Sequence, residues 1–309
     1  MPRILQITVP SDKTEKLLAE LATIDGVIGI QLNRSASVLP PGDVVSMEVL
    51  TPALHQLMVS LDRLGIGRDP SSSFVTSHPH SVVSPSHAES ITTDTSEATW
   101  EEIELEISHE SNMTANGLLL MCCSGVLAAV GITMDSLHIV IGAMIIAPGF
   151  EPISRISLGA VAGGSGWRHG MKDTAKGYAA LLAAAGVTSL VLQVMNIPMT
   201  GKSSYLPSGV LIEYWTTITV PGLLSTMIAS IAGAVMLVSD RSVLTAGVMI
   251  ALALVPAAAL IPMSLVSGEP GLAMAALLRW IIEFIAVLMF SALLFLWKRS
   301  SLYKRKTRF

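Results

Sequence analysis

The chain has 309 residues, 51% of them hydrophobic and only 14% charged, with a mean hydropathy of +0.62 and a formal net charge of −4. That balance lies well outside the soluble range and predicts an integral membrane protein. The charge points to no nucleic-acid partner. Apolar residues concentrate after residue 112, whereas residues 1 to 110 alternate in the ordinary way, so a soluble part precedes a membrane part. Met1 to Pro10 lacks the basic, then apolar, pattern of a leader, and a cytoplasmic amino terminus is expected.

In chain order, Arg3 to Val9 reads as a strand, Asp12 to Ile24 as an amphipathic helix, Val27 to Leu32 as a strand closing at Asn33, and Val44 to Leu50 as a third strand. Thr51 is expected to cap a helix with Pro52 in its first turn, ending near Gly65, and Ser72 to Thr76 reads as a fourth strand. The order βαββαβ over residues 1–76 predicts a small α+β domain of ferredoxin-like type. That architecture serves many functions and brings no chemistry with it.

Residues 77–97 are rich in Ser, Thr, His and Pro and read as a flexible linker. His78, His80 and His87 fall within it, and without cysteines or structured spacing they read as solvated residues rather than metal ligands; no metal or other cofactor is expected. Residues 98–111 predict an acidic juxtamembrane helix that Trp100 anchors at headgroup level.

Residues 112–297 divide into six expected spans: Asn112 to Ile132, Leu137 to Gly163, Gly177 to Ile197, Ile218 to Val238, Val243 to Val266 and Leu272 to Trp297. Arg168, Lys172 and Lys176 fall between spans two and three, Arg241 between four and five, and a basic tail, 298–309, follows six. These place one set of loops, with both termini, on the cytoplasmic side of a cell (inner) membrane, and Lys202 is the only basic residue in the opposite loops. Cys122 and Cys123 are neighbours on a helix, badly placed to pair with each other, and read as small core residues.

The segment Gly142 to Gly159, GAMIIAPGFEPISRISLG, stands out. Pro148 and Pro152 interrupt it, and it carries Glu151 and Arg155 at depth, where an ionised group costs about 2.5–3.5 kcal/mol even on the mildest scale. A pattern of Asp, Gly and Met recurs: Asp135, Gly142 and Met144, then Asp240, Gly247 and Met249 at the same offsets, followed by Pro256 and Pro262. Spans one to three therefore resemble four to six, and because three is odd the halves form an inverted repeat, with Asp135 and Asp240 at opposite faces. Broken helices in corresponding places put exposed backbone ends near the midplane, the expected position of an ion or solute site. Arg279 and Glu283 share the i, i+4 spacing of Glu151 and Arg155 inside span six, either as structural clamps or as a selectivity site. His138 reads as structural, and Pro198 to Thr217, with Glu213, Tyr214 and Trp215, as an interfacial loop or re-entrant cap.

GAMIIAPGFEPISRISLG together with GVMIALALVPAAALIP resembles the hydrophobic membrane family called domain of unknown function 389. The resemblance runs from about residue 98 onward and implies the architecture, a membrane domain preceded by a soluble module, and no activity. The residues themselves favour a channel or secondary transporter for a small ion or solute, in a lipid bilayer and as a homo-oligomer; the alternative is a structural or signalling protein whose soluble domain senses a ligand. No HExxH, GxSxG or phosphate-binding glycine loop is present, and an enzyme is not expected.

Overall fold

The computed structural model describes residues 2–66, 69–77, 79, 81–94, 112–163, 166–195, 209–238, 248 and 252–301. The chain divides into two compact units, Met1–Thr99 and Trp100–Phe309.

In the first unit the elements are β1 (Arg3–Val9), α1 (Ser11–Leu21), β2 (Val27–Val38), β3 (Pro41–Val49), α2 (Thr51–Arg63) and β4 (Ser73–Ser77). The four strands form one antiparallel sheet in the order β2-β3-β1-β4. Strict alternation drives it: Leu5, Ile7 and Val9 of β1 and Val45, Met47 and Val49 of β3 point to one face and are buried against Leu17, Leu21, Leu57 and Leu61 of the helices. Strand β2 does not close at Asn33. Its pairing with β3 shifts register between Asn33 and Ser37, with Ser35 at φ 50°, and an irregularity of this kind lets the hairpin continue to Val38.

Thr51 is not the cap of α2. Leu50 takes that place, and Thr51 begins the helix, donating its amide and its hydroxyl to Asp94 Oδ2 at 3.2 and 3.1 Å. A carboxylate at a helix amino terminus satisfies orphan donors and opposes the helix dipole. The stretch leading to Asp94 is correspondingly more ordered than its composition predicts, with a 3-10 turn at Pro85–His87 and helix α3 at Ala88–Thr93. His87 Nδ1 lies 3.0 Å from Ser86 Oγ. His78, His80, Trp100 and the expected helix at 98–111 lie outside the described residues.

Two carboxylates stabilise the loops of this unit. Asp43 accepts from the Ser35 amide at 2.8 Å, from Thr14 at 2.8 Å and from Ser11 at 3.0 Å, and these bonds hold its pKa below the usual range. Asp69 accepts from the Ser71 amide at 3.0 Å and from Lys13 Nζ at 2.9 Å, which lower it to about 2. A carboxylate whose folded pKa is depressed contributes stability above its unfolded pKa and loses it as pH falls through the folded value. The first unit is therefore expected to weaken between about pH 4 and pH 2. Asp69→Asn should flatten that part of the profile when strand amide exchange is followed against pH; an unchanged acid limb would contradict the assignment.

The second unit is helical among the described residues: α4 (Ala115–Thr133), α5 (Leu137–Ile146), α6 (Phe150–Ala162), α7 (Gly166–Val194), α8 (Val210–Thr216), α9 (Val220–Val238), α10 (Leu254–Val266) and α11 (Pro270–Ser301). Four of these, α4, α7, α9 and α11, are long and apolar enough to cross a membrane, and the pair α5 and α6, bent by 47° at a short break, makes a fifth if counted as one span. Helix α10 is apolar but shorter. Helix α7 begins at Gly166, so Arg168, Lys172 and Lys176 occupy its first turns rather than a loop. Apart from Gly170, nothing between Trp167 and Gly177 disfavours a helix, and charged residues at this end extend it beyond its apolar part. Cys122 is half-buried and Cys123 exposed; both are free, so only the first reads as a packing residue. Arg241, Asp240, Gly247, Met249, Lys202, Tyr205 and the tail beyond Ser301 lie outside the described residues.

Several helices of this unit share dimensions and punctuation. Helices α4 and α9 have 19 residues each, and α6 and α10 have 13 each. Thr114 Oγ1 accepts from the Gly117 amide at 3.3 Å at the start of α4, and Thr219 Oγ1 accepts from the Gly222 amide at 3.2 Å at the start of α9. Gly163, at φ 81°, ends α6, and Gly268, at φ 77°, follows α10. The packing is likewise exchanged: α4 lies against α7 and α9 against α11, while α6 and α10 each contact both α7 and α11.

Candidate functional site

The amino ends of α6 and α10 meet the long helices where the charged residues are. Pro148 lies in the break between α5 and α6 and is half-buried. Pro152 and Pro256 are not breaks. Each is the third residue of its helix, in α6 and α10, where a missing amide costs no intrahelical bond. Pro262 does not interrupt α10 either; the helix continues through it, and a Cβ on Gly186 of α7 would stand 3.2 Å from the Pro262 ring.

Glu151 and Arg155 lie on α6, and Arg155 reaches partners on other segments. Its Nη1 donates to Asn112 Oδ1 at 2.9 Å and stands 3.6 Å from Asp173 Oδ2 of α7. Arg155 therefore ties α6 to α7 and to the segment entering α4. Asp173 was hidden in the sequence among the lysines of an expected loop; its place on a helix, three residues from Lys176, gives it a face toward α6.

Arg279 and Glu283 do pair. Arg279 Nε donates to Glu283 Oε1 at 2.7 Å, and both side chains are buried, at 5% and 0% exposure. Arg279 Nη1 also donates to the Thr217 carbonyl at 3.0 Å, just beyond α8. The guanidinium lies against Gly222 in the first turn of α9: a Cβ there would be 3.0 Å from both Nη1 and Nη2. Around the Glu283 carboxylate stand the backbone amide of Ala253, which is the N-cap of α10, and the hydroxyl of Thr226 of α9. A buried carboxylate is thus set at a helix amino terminus, where partial positive charge opposes it. Tyr178 of α7, buried, is within electrostatic reach of both Glu283 and Glu151 and packs edge-on to Trp280 at 5.2 Å.

A polar cavity of about 30 Å³ adjoins the pair, lined by Met144, Tyr214, Trp215, Gly222, Ser225, Ala253 and Arg279. Its walls come from several elements: Met144 from α5, Trp215 from α8, Gly222 from α9, and Ala253, the N-cap of α10. Helix α8 lies at the end of the 198–217 stretch, with Trp215 and Ile212 buried. Asp135 serves elsewhere. It is exposed at the end of α4, at φ 50°, and its Oδ1 accepts from the Leu211 amide at 3.4 Å in the first turn of α8. Asp240 is outside the described residues. His138 is exposed, with Nε2 3.0 Å from Ser136 Oγ. Residues missed in the sequence, Thr217, Gly222 and Ala253, contribute mainly backbone, which leaves no compositional trace; the paired Thr-x-x-Gly at Thr114 and Thr219 is the signal that marks Gly222.

These features define a class: an apolar multi-helix unit carried with a small α+β domain. Residues 144–289 match the family model described as "Domain of unknown function (DUF389)", which bears out the resemblance read from the Gly142 to Gly159 segment. An uncharacterised protein of Methanocaldococcus jannaschii is 26% identical over 189 residues, covering 60% of this chain and 55% of that protein, so the match spans about half of the relative's length. No solved structure matches.

Proposed function

We propose that this protein is a membrane channel or secondary transporter for a small ion or solute, with its site where the interrupted helices meet Arg279 and Glu283. In this reading the second unit makes six spans, the fifth formed by α10 with the residues before it. The two halves are an inverted repeat, and the shared helix lengths, Thr-x-x-Gly starts and exchanged packing support that. The first unit is a ferredoxin-like cytoplasmic domain, a description its strand order supports. Both termini face the cytoplasm of a cell whose inner membrane holds the protein as a homo-oligomer. No enzymatic step is assigned.

One observation carries the proposal. A completely buried carboxylate in an apolar helical unit is paired with a buried arginine and set against the amino end of α10, beside a polar cavity. An arrangement that only held helices together would be as stable with apolar residues, whereas ionisable residues at bilayer depth mark ion and solute pathways.

Purified protein in liposomes is expected to support flux of a small ion or solute. Arg279→Gln, shown to elute and unfold like wild type, should lower the rate by roughly tenfold or more, equivalent to about 1.4 kcal/mol at the site. Glu151→Gln tests whether α6 lines the same path. Absence of flux under every gradient and voltage would sink the proposal and favour a structural or sensing role for the helical unit.

A further inference from the structure

The cavity beside Arg279 has a definite chemical polarity. Of the five N–H groups of the guanidinium, one on Nε goes to Glu283 and one on Nη1 to Thr217, which leaves Nη2 with no acceptor among the described residues. That side chain is only 4% exposed, and it lines the cavity. Its surroundings are unfavourable for a bare cation: the guanidinium lies on Gly222 in the first turn of α9, a 19-residue helix whose amino end carries partial positive charge of the same sign. The Glu283 countercharge engages the far edge, at Nε. The face toward the cavity therefore presents donors and positive potential with no matching acceptor.

We infer that this cavity binds a small monovalent anion on Arg279 Nη1 and Nη2, and, resting on the transport proposal, that the species moved along this pathway is an anion. The size fits a halide or formate. About 30 Å³ is the space of one or two water-sized species, too little for a phosphate or a larger carboxylate without movement of the walls. Trp215, 2% exposed, closes one side and Ser225 lines another, so that an anion meets one charged group within a mostly polar lining. Cation recognition by the same cavity is disfavoured, because the charged group that lines it is the Arg279 guanidinium and Glu283 is not among its lining residues.

The test uses chloride itself. Chloride-35 NMR line broadening is measured on full-length protein in micelles, with formate as competitor and gluconate holding ionic strength. Wild type is expected to give excess broadening that formate removes. Arg279→Gln should weaken chloride binding at least tenfold, whereas Glu283→Gln, which removes the countercharge while keeping the shape, should tighten it several-fold. Gly222→Ala provides an independent variant if Arg279→Gln does not fold: its methyl must push the guanidinium aside, and it should weaken binding while leaving the ion pair in place. Broadening equal in wild type and Gly222→Ala, or not displaced by formate, overturns the inference. Flux of chloride and of potassium in liposomes separates the two claims. Saturable chloride binding without any flux refutes transport and leaves the site; potassium flux without chloride binding refutes the site and leaves transport.

Discussion

Glu283→Ala is expected to destabilise the helical unit by about 3–5 kcal/mol, the cost of leaving one member of a buried ion pair without its partner. The geometry favours the upper part of that range. Glu283 is fully buried, its Oε1 takes the Arg279 Nε proton at 2.7 Å, and it also faces the Ala253 amide, so its removal strands a guanidinium and a helix amino end together. By contrast the exposed pair of Arg34 and Glu15, at 66% and 70% exposure, should contribute no more than about 1 kcal/mol when broken. Replacing both buried members, Arg279→Met with Glu283→Leu, removes the stranded charge and should recover most of the loss. Reversible unfolding in mixed micelles reads the three proteins directly. A single variant within about 1 kcal/mol of wild type would mean that water or lipid headgroups already solvate Arg279. Chloride should partly restore Glu283→Ala, since a ligand that binds the folded form stabilises it.

Legibility in the sequence followed the physics of each feature. Alternation along β1 and β3 announced both strands, because a sheet with one buried face forces a period of two. The end of β2 did not announce itself, since a bulge near Ser35 depends on pairing with Gly42 and its neighbours rather than on local propensity. In the helical unit, the i, i+4 spacing found the Arg279 and Glu283 pair, but it gave no sign that Arg155 also reaches Asn112 and Asp173. Spacing along one helix records which residues are neighbours there; it is silent about the helix packed alongside. Prolines misled for a related reason. Pro152 and Pro256 signal where helices begin, and only Pro148 lies in an interruption. Matching Asp, Gly and Met offsets suggested a repeat, and the Thr-x-x-Gly starts of α4 and α9 are a further shared feature.

Gly125→Ala should weaken the helical unit by about 1–3 kcal/mol, the usual range for overpacking, with the upper end expected because the obstacle is backbone. Gly125 faces α7 from the buried side of α4, and a Cβ there would overlap the carbonyl oxygen of Leu181 and stand 3.2 Å from the Leu181 carbonyl carbon and Cα. A side chain can rotate away from an intruding methyl. A helix carbonyl cannot, so α4 and α7 must separate along the contact. Cys122 Sγ, 3.8 Å from the Ala180 carbonyl one residue before, would be displaced with it. In an apolar solvent no hydrophobic gain opposes such separation, because lipid chains solvate the exposed surface as well as the partner helix does, and close packing carries the association. Gly142 supplies the control. Nothing lies within 4 Å of a Cβ at that position, in α5, and Gly142→Ala should be neutral or stabilising by up to about 1 kcal/mol through the unfolded chain. Unfolding midpoints in a denaturing-detergent titration compare the two at once. Equal loss from both would mean that glycine acts through helix flexibility along α4 and α5; loss confined to Gly125→Ala would place the effect at the α4 and α7 contact, and a cysteine pair bridging those helices should then form less readily in the variant than in the parent protein.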